Sequence, residues 1–240
     1  QAMSYKVYIP SKGRAGKVTT HKLFPNAAIV CPESEKELYE EYHDEVLTAP
    51  DSVKGITATR NWMLDNVPEE WHVQVDDDAL SFHMFEEGKM HTFIDPDRIH
   101  EVVQNQFEVC EDWGLKVWGF ALAADYKFYR EYTPYSTQGV IGANILGVIK
   151  NPLRFDERLK VKEDYDYSMQ HIAKYGGALR FMKYGIDVVH LTNAGGCVSY
   201  RTKEAETDAY NVLLKKWGRK VVKLQNNKNF VKMKSPRKGV

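Results

Sequence analysis

The sequence predicts an α/β domain in which helices flank a mixed, mostly parallel sheet. Short apolar segments rich in β-branched and aromatic residues alternate along the chain with segments that carry helix start and stop signals. The chain has 240 residues, enough for one large domain or two small ones. The sequence contains no internal repeat and no low-complexity segment, and no linker stands out before its basic C-terminal end. We therefore expect one layered domain.

The strands are predicted from short apolar runs that end at turn residues. YKVYIP alternates and is rich in β-forming residues, and WHVQV is a short apolar run that ends in acidic residues. The predicted strands are 5–10, 27–31, 45–50, 71–75, 116–122, 140–149 and 187–192. Between the first two, we expect a loop followed by a short helix.

The helices are predicted from the residues at their ends. Pro32 with a run of acids opens one helix, and Pro96 and Gly114 delimit the longest. Gly176 and Gly218 mark the C-terminal ends of the last two. The predicted helices are 32–43, 55–67, 96–114, 162–177 and 203–218.

The composition is that of a water-soluble globular protein. Hydrophobic residues make up 43% of the chain and charged residues 28%. No apolar run approaches bilayer length, so we expect no membrane contact, and no secretory signal is visible. We exclude residues 1–3 as an expression remnant. The scattered Cys31, Cys110 and Cys197 fit neither a disulfide framework nor a zinc site, which indicates the cytoplasm.

Positive charge is concentrated at the C-terminus. The whole chain has 33 basic and 33 acidic residues, so its net charge indicates no partner. From Lys215 onward, however, there are ten Lys or Arg residues and no acid. This segment is either a basic arm for a polyanion or a solvated tail. We expect a domain at 4–218 and a basic extension at 219–240.

Three consecutive acids, Asp76, Asp77 and Asp78, follow the strand WHVQV. In open α/β sheets, ligands bind beyond the carboxyl ends of the strands. Carboxylates two residues apart on a turn can face one hard cation, and Mg²⁺ or Mn²⁺ keeps positions free for phosphate oxygens. The pattern predicts Asp76 and Asp78 as ligands of a metal that carries a diphosphate. The alternative is a solvated strand end.

The loop PSKGRAGKVTT resembles a phosphate-binding loop in composition but not in spacing. That motif requires Gly, four residues and then Gly-Lys-Ser/Thr, whereas Gly13 and Gly16 are too close together. We therefore do not expect an ATPase of this type. Ser11 and Arg14 remain candidates for binding a phosphate or a nucleotide base, and the alternative is an ordinary polar turn. Arg60 and Asn61, early in a predicted helix, are further nucleotide-binding candidates, with a surface salt bridge as the alternative.

Two later segments contain the remaining candidates. KEDYDYS places Glu163, Asp164 and Asp166 at a helix start, where Asp164 is the candidate general base and helix-dipole stabilisation is the alternative. HLTNAGG places His190 at a strand end, as a third metal ligand or a packed side chain.

The residues after His190 complete the candidate set. Gly195 and Gly196 allow close backbone approach to phosphate, and Arg201 and Lys203 can cover its charge. The aromatic, basic stretch at 125–135 either stacks bases or sugars or packs as a flap on the domain.

The order of these motifs resembles the glycosyltransferases of the GT-A fold. PSKGRAGK, TATRN, VDDDA, KEDYD and HLTNAGG follow one another over about Tyr5 to Arg201. Within that fold, the PSKGRAG start and the DDD strand are most similar to the TET-associated glycosyltransferase group of phages. The acid triplet corresponds to the DxD motif, Asp164 to the base of inverting members, and His190 to a C-terminal metal ligand.

The resemblance implies a metal-dependent transferase with a nucleotide-sugar donor, UDP-sugar above all. Its acceptor would be a hydroxymethylated pyrimidine in DNA, and a phage-encoded enzyme would act in the host cytoplasm. Asp77 would help to hold the metal or the donor ribose. Two other classes stay open: a sugar-nucleotide-forming nucleotidyltransferase, which would release pyrophosphate, and a non-catalytic DNA-binding module on a transferase-like frame.

Overall fold

The computed structural model of the chain describes residues 4–121, 129–189, 202–225 and 230–233. The strands are β1 Lys6–Pro10, β2 Ala28–Pro32, β3 Val46–Ala49, β4 Trp71–Val75, β5 Ala79–Glu86, β6 Lys89–Phe93, β7 Val117–Phe120, β8 Tyr135–Ser136, β9 Ile145–Ile149, β10 Leu179–Phe181, β11 Tyr184–Val188, β12 Val222–Gln225 and β13 Phe230–Met233. The α-helices are α1 Lys36–Glu40, α2 Ile56–Asn66, α3 Pro96–Asp112, α4 Glu163–Tyr175 and α5 Lys203–Trp217, and short 3₁₀ helices cover Thr20–Lys22 and Glu33–Glu35.

The main sheet is mixed and has the order β3-β2-β1-β4-β9-β7-β10-β8. The four strands β3, β2, β1 and β4 are parallel to one another, and β7 is parallel to β10. β9 runs antiparallel between β4 and β7, and β8 is antiparallel to β10 at the edge. The predicted α/β class with a mixed, mostly parallel sheet is confirmed.

Helices cover both faces of the sheet because strand residues alternate between the faces and both sets are apolar. On one face, Ile9, Val75 and Phe120 belong to the same buried cluster as Phe107 of α3 and Phe82 of β5. The opposite face packs against α2, α4 and α5 in two further clusters. The sheet is therefore buried on both faces, and ligands can reach it at its edges and strand ends.

Helix α3 has the ends that its sequence predicts. The Asp95 side chain caps its start by accepting from the Asp97 N–H at 3.4 Å, Pro96 occupies the first turn, and Gly114 follows its end with φ +67°. By contrast, the helix predicted at 32–43 shortens to α1, because among its residues only Tyr39 is buried and little packing stabilises further turns.

The hairpin of β5 and β6 is absent from the sequence prediction. Its two-residue turn, Glu87 and Gly88, has φ of +50° and +73°, as in the tight turns that match strand twist. Glu is an unusual residue for such a turn. In addition, β5 buries the polar Ser81 and His83, so the apolar alternation that marks a strand is missing. β5 pairs with β6 and β11 in a second, three-stranded sheet.

Two predicted segments end differently in the structure. The strand expected at 187–192 begins earlier, as β11, and the residues from 190 to 201 lie outside the described part of the chain. In the expected C-terminal extension, β12 and β13 form an antiparallel hairpin, and Val221, Val222 and Met233 are buried in the cluster that contains Leu213 of α5. In the described ranges, no helix is long and apolar enough to cross a bilayer.

Candidate active site

The acidic turn Asp76–Asp78 meets the loop after β1 at the carboxyl ends of two adjacent parallel strands. Ser11 Oγ donates to Asp77 Oδ2 at 2.5 Å, and Arg14 Nη1 donates to Asp77 Oδ1 at 2.7 Å. Asp77 is buried, and each of its carboxylate oxygens accepts a hydrogen bond from a protein side chain. The middle acid thus joins the two loops, and its neighbours Asp76 and Asp78 remain partly exposed.

Two threonines that the sequence analysis did not select hold the backbone of this acidic turn. Thr20 Oγ1 donates to the Asp76 carbonyl at 2.5 Å and accepts from the Ala79 N–H at 2.9 Å. The Thr19 N–H donates to the Asp77 carbonyl at 3.0 Å. The signal in the sequence is the pair of hydroxyl residues, Thr19 and Thr20, at the end of PSKGRAGKVTT. The phosphate-loop motif gives this pair no role, because the loop does not have the spacing of that motif.

Arg60 of α2 is the buried cation of the site. Only 2% of its side chain is exposed, and Nη2 donates to Asp76 Oδ1 at 3.0 Å and to the Ala143 carbonyl at 2.9 Å. Its Nε lies 3.9 Å from Glu163 Oε1, and Nη1 is 3.4 Å from Gln74 Oε1. Arg60 therefore links the acidic turn after β4 to the start of α4.

The acids at the start of α4 face the same cation. Asp164 accepts from the Tyr165 N–H at 2.9 Å and also has the Ala143 N–H as a backbone partner. Burial raises the pKa of Asp164 above its usual range, and Arg60 opposes the rise. Burial, followed by the Asp164 charge, raises the pKa of Glu163 to about 7. A carboxylate with a raised pKa holds a proton more strongly, as a general base requires.

Asp166, two residues further along, lies away from this cluster. Its fully buried carboxylate accepts from Trp217 Nε1 at 2.8 Å, Lys216 Nζ at 2.8 Å and Gln170 Nε2 at 2.6 Å. It therefore anchors the end of α5 to the start of α4.

The two flanking acids of the turn fit a divalent cation. Burial, with the charges of Asp76 and Asp77, raises the pKa of Asp78 to about 6. Burial also raises the pKa of Asp76, which Arg60 partly offsets. A divalent cation would relieve the repulsion between these carboxylates, and oxygen ligands suit Mg²⁺ and Mn²⁺. Within the described ranges, no group of three or more Asp, Glu, His or Cys side chains is placed to hold a metal.

The chain reaches the next candidates beside Asp78. The Val189 N–H donates to the Asp78 carbonyl at 2.9 Å, immediately before the described segment ends. The predicted metal ligand His190 and the predicted phosphate contacts lie outside the described residues; these contacts are Gly195, Gly196 and Arg201.

The side chain of Asn61 is hydrogen-bonded to the segment 155–157. Its Nδ2 donates to the Phe155 carbonyl at 2.9 Å and to Glu157 Oε1 at 3.0 Å, and its Oδ1 accepts from the Phe155 N–H at 2.8 Å. Like Arg60, it is buried. Nucleotide binding by these two residues stays a prediction, as do the roles of Ser11 and Arg14.

The aromatic stretch at 125–135 is described only from Tyr129 onward. Tyr129 stacks on Phe85, and Tyr135 packs edge-to-face on Phe181, whereas 83% of Tyr132 is exposed. The described part thus contains packed rings and one exposed ring.

The structure is similar to solved structures of proteins in complex with nucleotide sugars. One is the mannosyltransferase PcManGT from Pyrobaculum calidifontis in complex with GDP-Man and Mn²⁺, with TM-score 0.56 and 12% identity over 88% of this chain and 64% of that one. Another is S. aureus TarS 1-349 in complex with UDP-GlcNAc, with TM-score 0.52 and 13% identity over 87% of this chain and 64% of that one. The chain thus spans less than two thirds of the length of either protein. The likeness confirms the predicted GT-A fold.

The sequence also identifies the family. The model of the TET-Associated Glycosyltransferase family matches residues 5–196, which is most of the chain. The protein belongs to this family, and the resemblance drawn from its motifs is confirmed. A comparison with curated proteins found no matching relative.

Proposed function

We propose that the protein is a metal-dependent glycosyltransferase that moves a sugar from a nucleotide sugar, UDP-sugar in the first instance, to the hydroxyl of a 5-hydroxymethylpyrimidine in DNA. One observation carries the proposal: Arg60 lies between Asp76 of the acidic turn and Glu163 at the start of α4, so the predicted metal ligands and the predicted base adjoin one site. Family membership and the nucleotide sugars bound to PcManGT and TarS support the donor class.

Asp76 and Asp78 would hold Mn²⁺ or Mg²⁺, with His190 as the proposed third ligand. Their partly exposed, mutually repelling carboxylates support this assignment, and so does the hydrogen bond that places Val189 beside Asp78. The bound cation would supply Lewis-acid stabilisation for the negative charge of the departing diphosphate.

Asp164 is the proposed base. Its carboxylate takes the proton of the acceptor hydroxyl, whose oxygen forms a bond to the anomeric carbon of the sugar. The bond from that carbon to the diphosphate breaks at the same time, and UDP leaves with the electron pair. This single displacement inverts the anomeric centre. The N–H groups of Tyr165 and Ala143 hold Asp164 in place, and the charge of Arg60 opposes the rise in pKa that burial causes, so the base is oriented before the acceptor arrives.

The loop after β1 is the proposed nucleotide contact. Ser11 and Arg14 follow the carboxyl end of β1 and bind Asp77 of the acidic turn after β4. A nucleotide at the end of β1 would therefore lie next to the acidic turn. Gly195, Gly196 and Arg201 are proposed to approach the diphosphate. Arg60 and Asn61 would serve the nucleotide by holding the turn and the 155–157 loop, because both side chains bind protein groups.

Two features support DNA as the acceptor. The family name connects these transferases to TET chemistry, which concerns oxidised pyrimidine methyl groups. The C-terminal segment from Lys215 is purely basic, as a polyanion partner would require. A phage-encoded protein would meet such DNA in the host cytoplasm.

The test is UDP release from a panel of UDP-sugars with Mn²⁺, with and without hydroxymethylated DNA. We expect release that requires the modified DNA, is abolished by a chelator, and falls at least 100-fold in Asp78→Ala. Asp112→Ala, which removes an exposed acid at the end of α3, is the matched control and should retain wild-type activity.

Other products would point to other functions. Metal-dependent UDP release that ignores DNA would remove the DNA acceptor and leave the transferase. Pyrophosphate in place of UDP would identify a nucleotidyltransferase. DNA binding that Asp78→Ala leaves intact, with no release from any donor, would indicate a binding module.

A further inference from the structure

Arg180 on β10 is a half-buried cation with weak contacts. Its Nη1 lies 3.3 Å from the Val140 carbonyl and its Nη2 3.4 Å from Ser136 Oγ, both at the long end for hydrogen bonds. Its Nε is buried and has no hydrogen-bond partner. Among the residues that the structure describes, no carboxylate lies within ion-pairing distance of Arg180.

This environment differs from that of three arginines that have carboxylate partners. Arg14 and Arg60 each pair with a carboxylate of the acidic turn, and Arg154 pairs with Asp65. Burial lowers the pKa of Arg180, and none of the described residues supplies a negative charge that opposes the shift. A buried charge without a counter-charge is costly, and an anionic ligand would offset that cost.

Arg180 lies at the same edge of the sheet as the candidate active site. β10 runs parallel to β7, whose end adjoins the start of β9 beside the acidic turn. The Val140 carbonyl faces Arg180, and the Ala143 N–H faces Asp164, three residues further along the same segment. Three residues of chain span at most about 10 Å, so the segment 140–143 connects the surroundings of Arg180 to those of the proposed base.

We propose that Arg180 binds a backbone phosphate of the acceptor polynucleotide, close to the nucleotide whose base is modified. The inference rests on the proposed function and names a contact for its DNA acceptor. A guanidinium fork suits phosphate oxygens, and Arg180 lies at the edge of the sheet where Asp164 would take the proton of the acceptor.

The phosphate of the donor is the other possible source of the anion, and the sheet order argues against it. β9 and β7 separate β10 from β4, so with strands about 4.8 Å apart the backbone of β4 is roughly 14 Å from that of β10. The donor diphosphate, held at Asp76 and Asp78, would lie nearer to β4 than to β10, and the affinity for UDP tests this separation.

Gly139 makes the site accessible to a second variant. A Cβ at this position would lie 2.4 Å from Arg180 Cζ, so the guanidinium rests against glycine backbone. Gly139→Ala would displace the guanidinium but keep its charge. Arg180→Lys keeps the charge without the fork, and Arg180→Gln removes both.

The experiment measures two affinities for each variant. Fluorescence anisotropy gives the Kd for a hydroxymethylated oligonucleotide at several salt concentrations, and calorimetry gives the Kd for UDP with Mn²⁺. We expect Arg180→Gln to weaken oligonucleotide binding about tenfold and to reduce the salt slope by about one, without changing UDP binding. Gly139→Ala and Arg180→Lys should show smaller losses of the same kind, and Arg154→Gln, whose arginine pairs with Asp65, should bind like wild type.

Each of the following results would overturn the inference. Wild-type oligonucleotide affinity and salt slope in Arg180→Gln would show that no phosphate binds there, and weakened UDP binding would assign the site to the donor. If Arg180→Gln does not fold, wild-type oligonucleotide binding by both folded variants, Gly139→Ala and Arg180→Lys, overturns the inference. A wild-type protein that transfers sugar but never to DNA refutes the proposed acceptor itself, whereas normal transfer to DNA with no effect of these variants refutes only the role of Arg180.

Discussion

Arg60→Met tests the central claim that one buried cation holds the active site together. The substitution keeps a similar apolar volume and removes the guanidinium. Asp76 Oδ1 and the Ala143 carbonyl then lose donors at 3.0 and 2.9 Å, and Glu163 loses its nearby positive charge. Breaking a buried pair costs about 3–5 kcal/mol. Because 37% of the Asp76 side chain is exposed, water can replace part of the loss, and we expect about 3 kcal/mol.

The loss of stability caused by Arg60→Met should depend on pH, and the sign of this dependence follows from the pKa of Glu163. The pKa of this carboxyl is about 7 in the folded protein and 4.5 ordinarily, so the folded chain holds a proton that the unfolded chain releases in this window. The free energy of unfolding therefore falls as pH rises from about 4.5 through about 7. Without Arg60, which lowers that pKa, the fall continues to higher pH. Arg60→Met should be more destabilised relative to wild type at pH 8 than at pH 5.5.

Urea unfolding at pH 5.5 and at pH 8 measures the pH dependence of the destabilisation. In thermal unfolding at neutral pH, the melting temperature should be roughly 6–12 °C lower than that of the wild type. Arg154→Met is the control, because its pair with Asp65 is largely exposed and should contribute at most about 1 kcal/mol. UDP release by Arg60→Met should also fall sharply, since Asp76 and Asp164 lose their common partner. A variant with less than about 1 kcal/mol of destabilisation and no pH difference would refute the reasoning.

Two other substitutions probe the framework around the site. Asp166→Asn should cost about 2–3 kcal/mol in urea unfolding, since a fully buried carboxylate loses its charge while Lys216 keeps a second acidic partner; wild-type stability would show that this anchor of α5 contributes nothing. Thr20→Val leaves the Ala79 N–H without this acceptor and loosens the acidic turn, so kcat for transfer should fall roughly 10- to 100-fold and the Mn²⁺ concentration needed for activity should rise. Thr59→Val is the control and should match wild type in steady-state kinetics, because the Thr59 hydroxyl donates to the Gly55 carbonyl at the start of its own helix.

Most of the main sheet follows from local sequence. YKVYIP and WHVQV are apolar enough on both faces to require burial, and their turn residues mark where they end, so β1 and β4 appear close to their expected positions. β5 and β6 do not follow, because polar residues of β5 are buried by partners distant in sequence. Ser81 and His83 both bond to Asp187 of β11, at 2.8 and 2.9 Å. Those contacts satisfy the two buried polar side chains of β5.

The candidate site divides in a similar way. Asp76, Asp78 and Asp164 were selected from carboxylates after a strand and at a helix start, which are local patterns. The separation of the acids at the start of α4 was not readable from the sequence. Asp164 faces Arg60, whereas Asp166 binds Lys216, and which acid meets which cation depends on helices more than 40 residues apart in the chain.

The sequence by itself determined the α/β class and the family, and it predicts which acids bind a metal or take a proton, because periodicity, turn chemistry and carboxylate spacing are properties of neighbouring residues. Only the tertiary structure decided that Arg60 is a buried counter-ion, that Asp77 binds Ser11 and Arg14, and that Arg180 has no described acidic partner. Burial and charge pairing are set by which distant elements pack together, and no local pattern encodes the environment of a side chain after the sheet has formed.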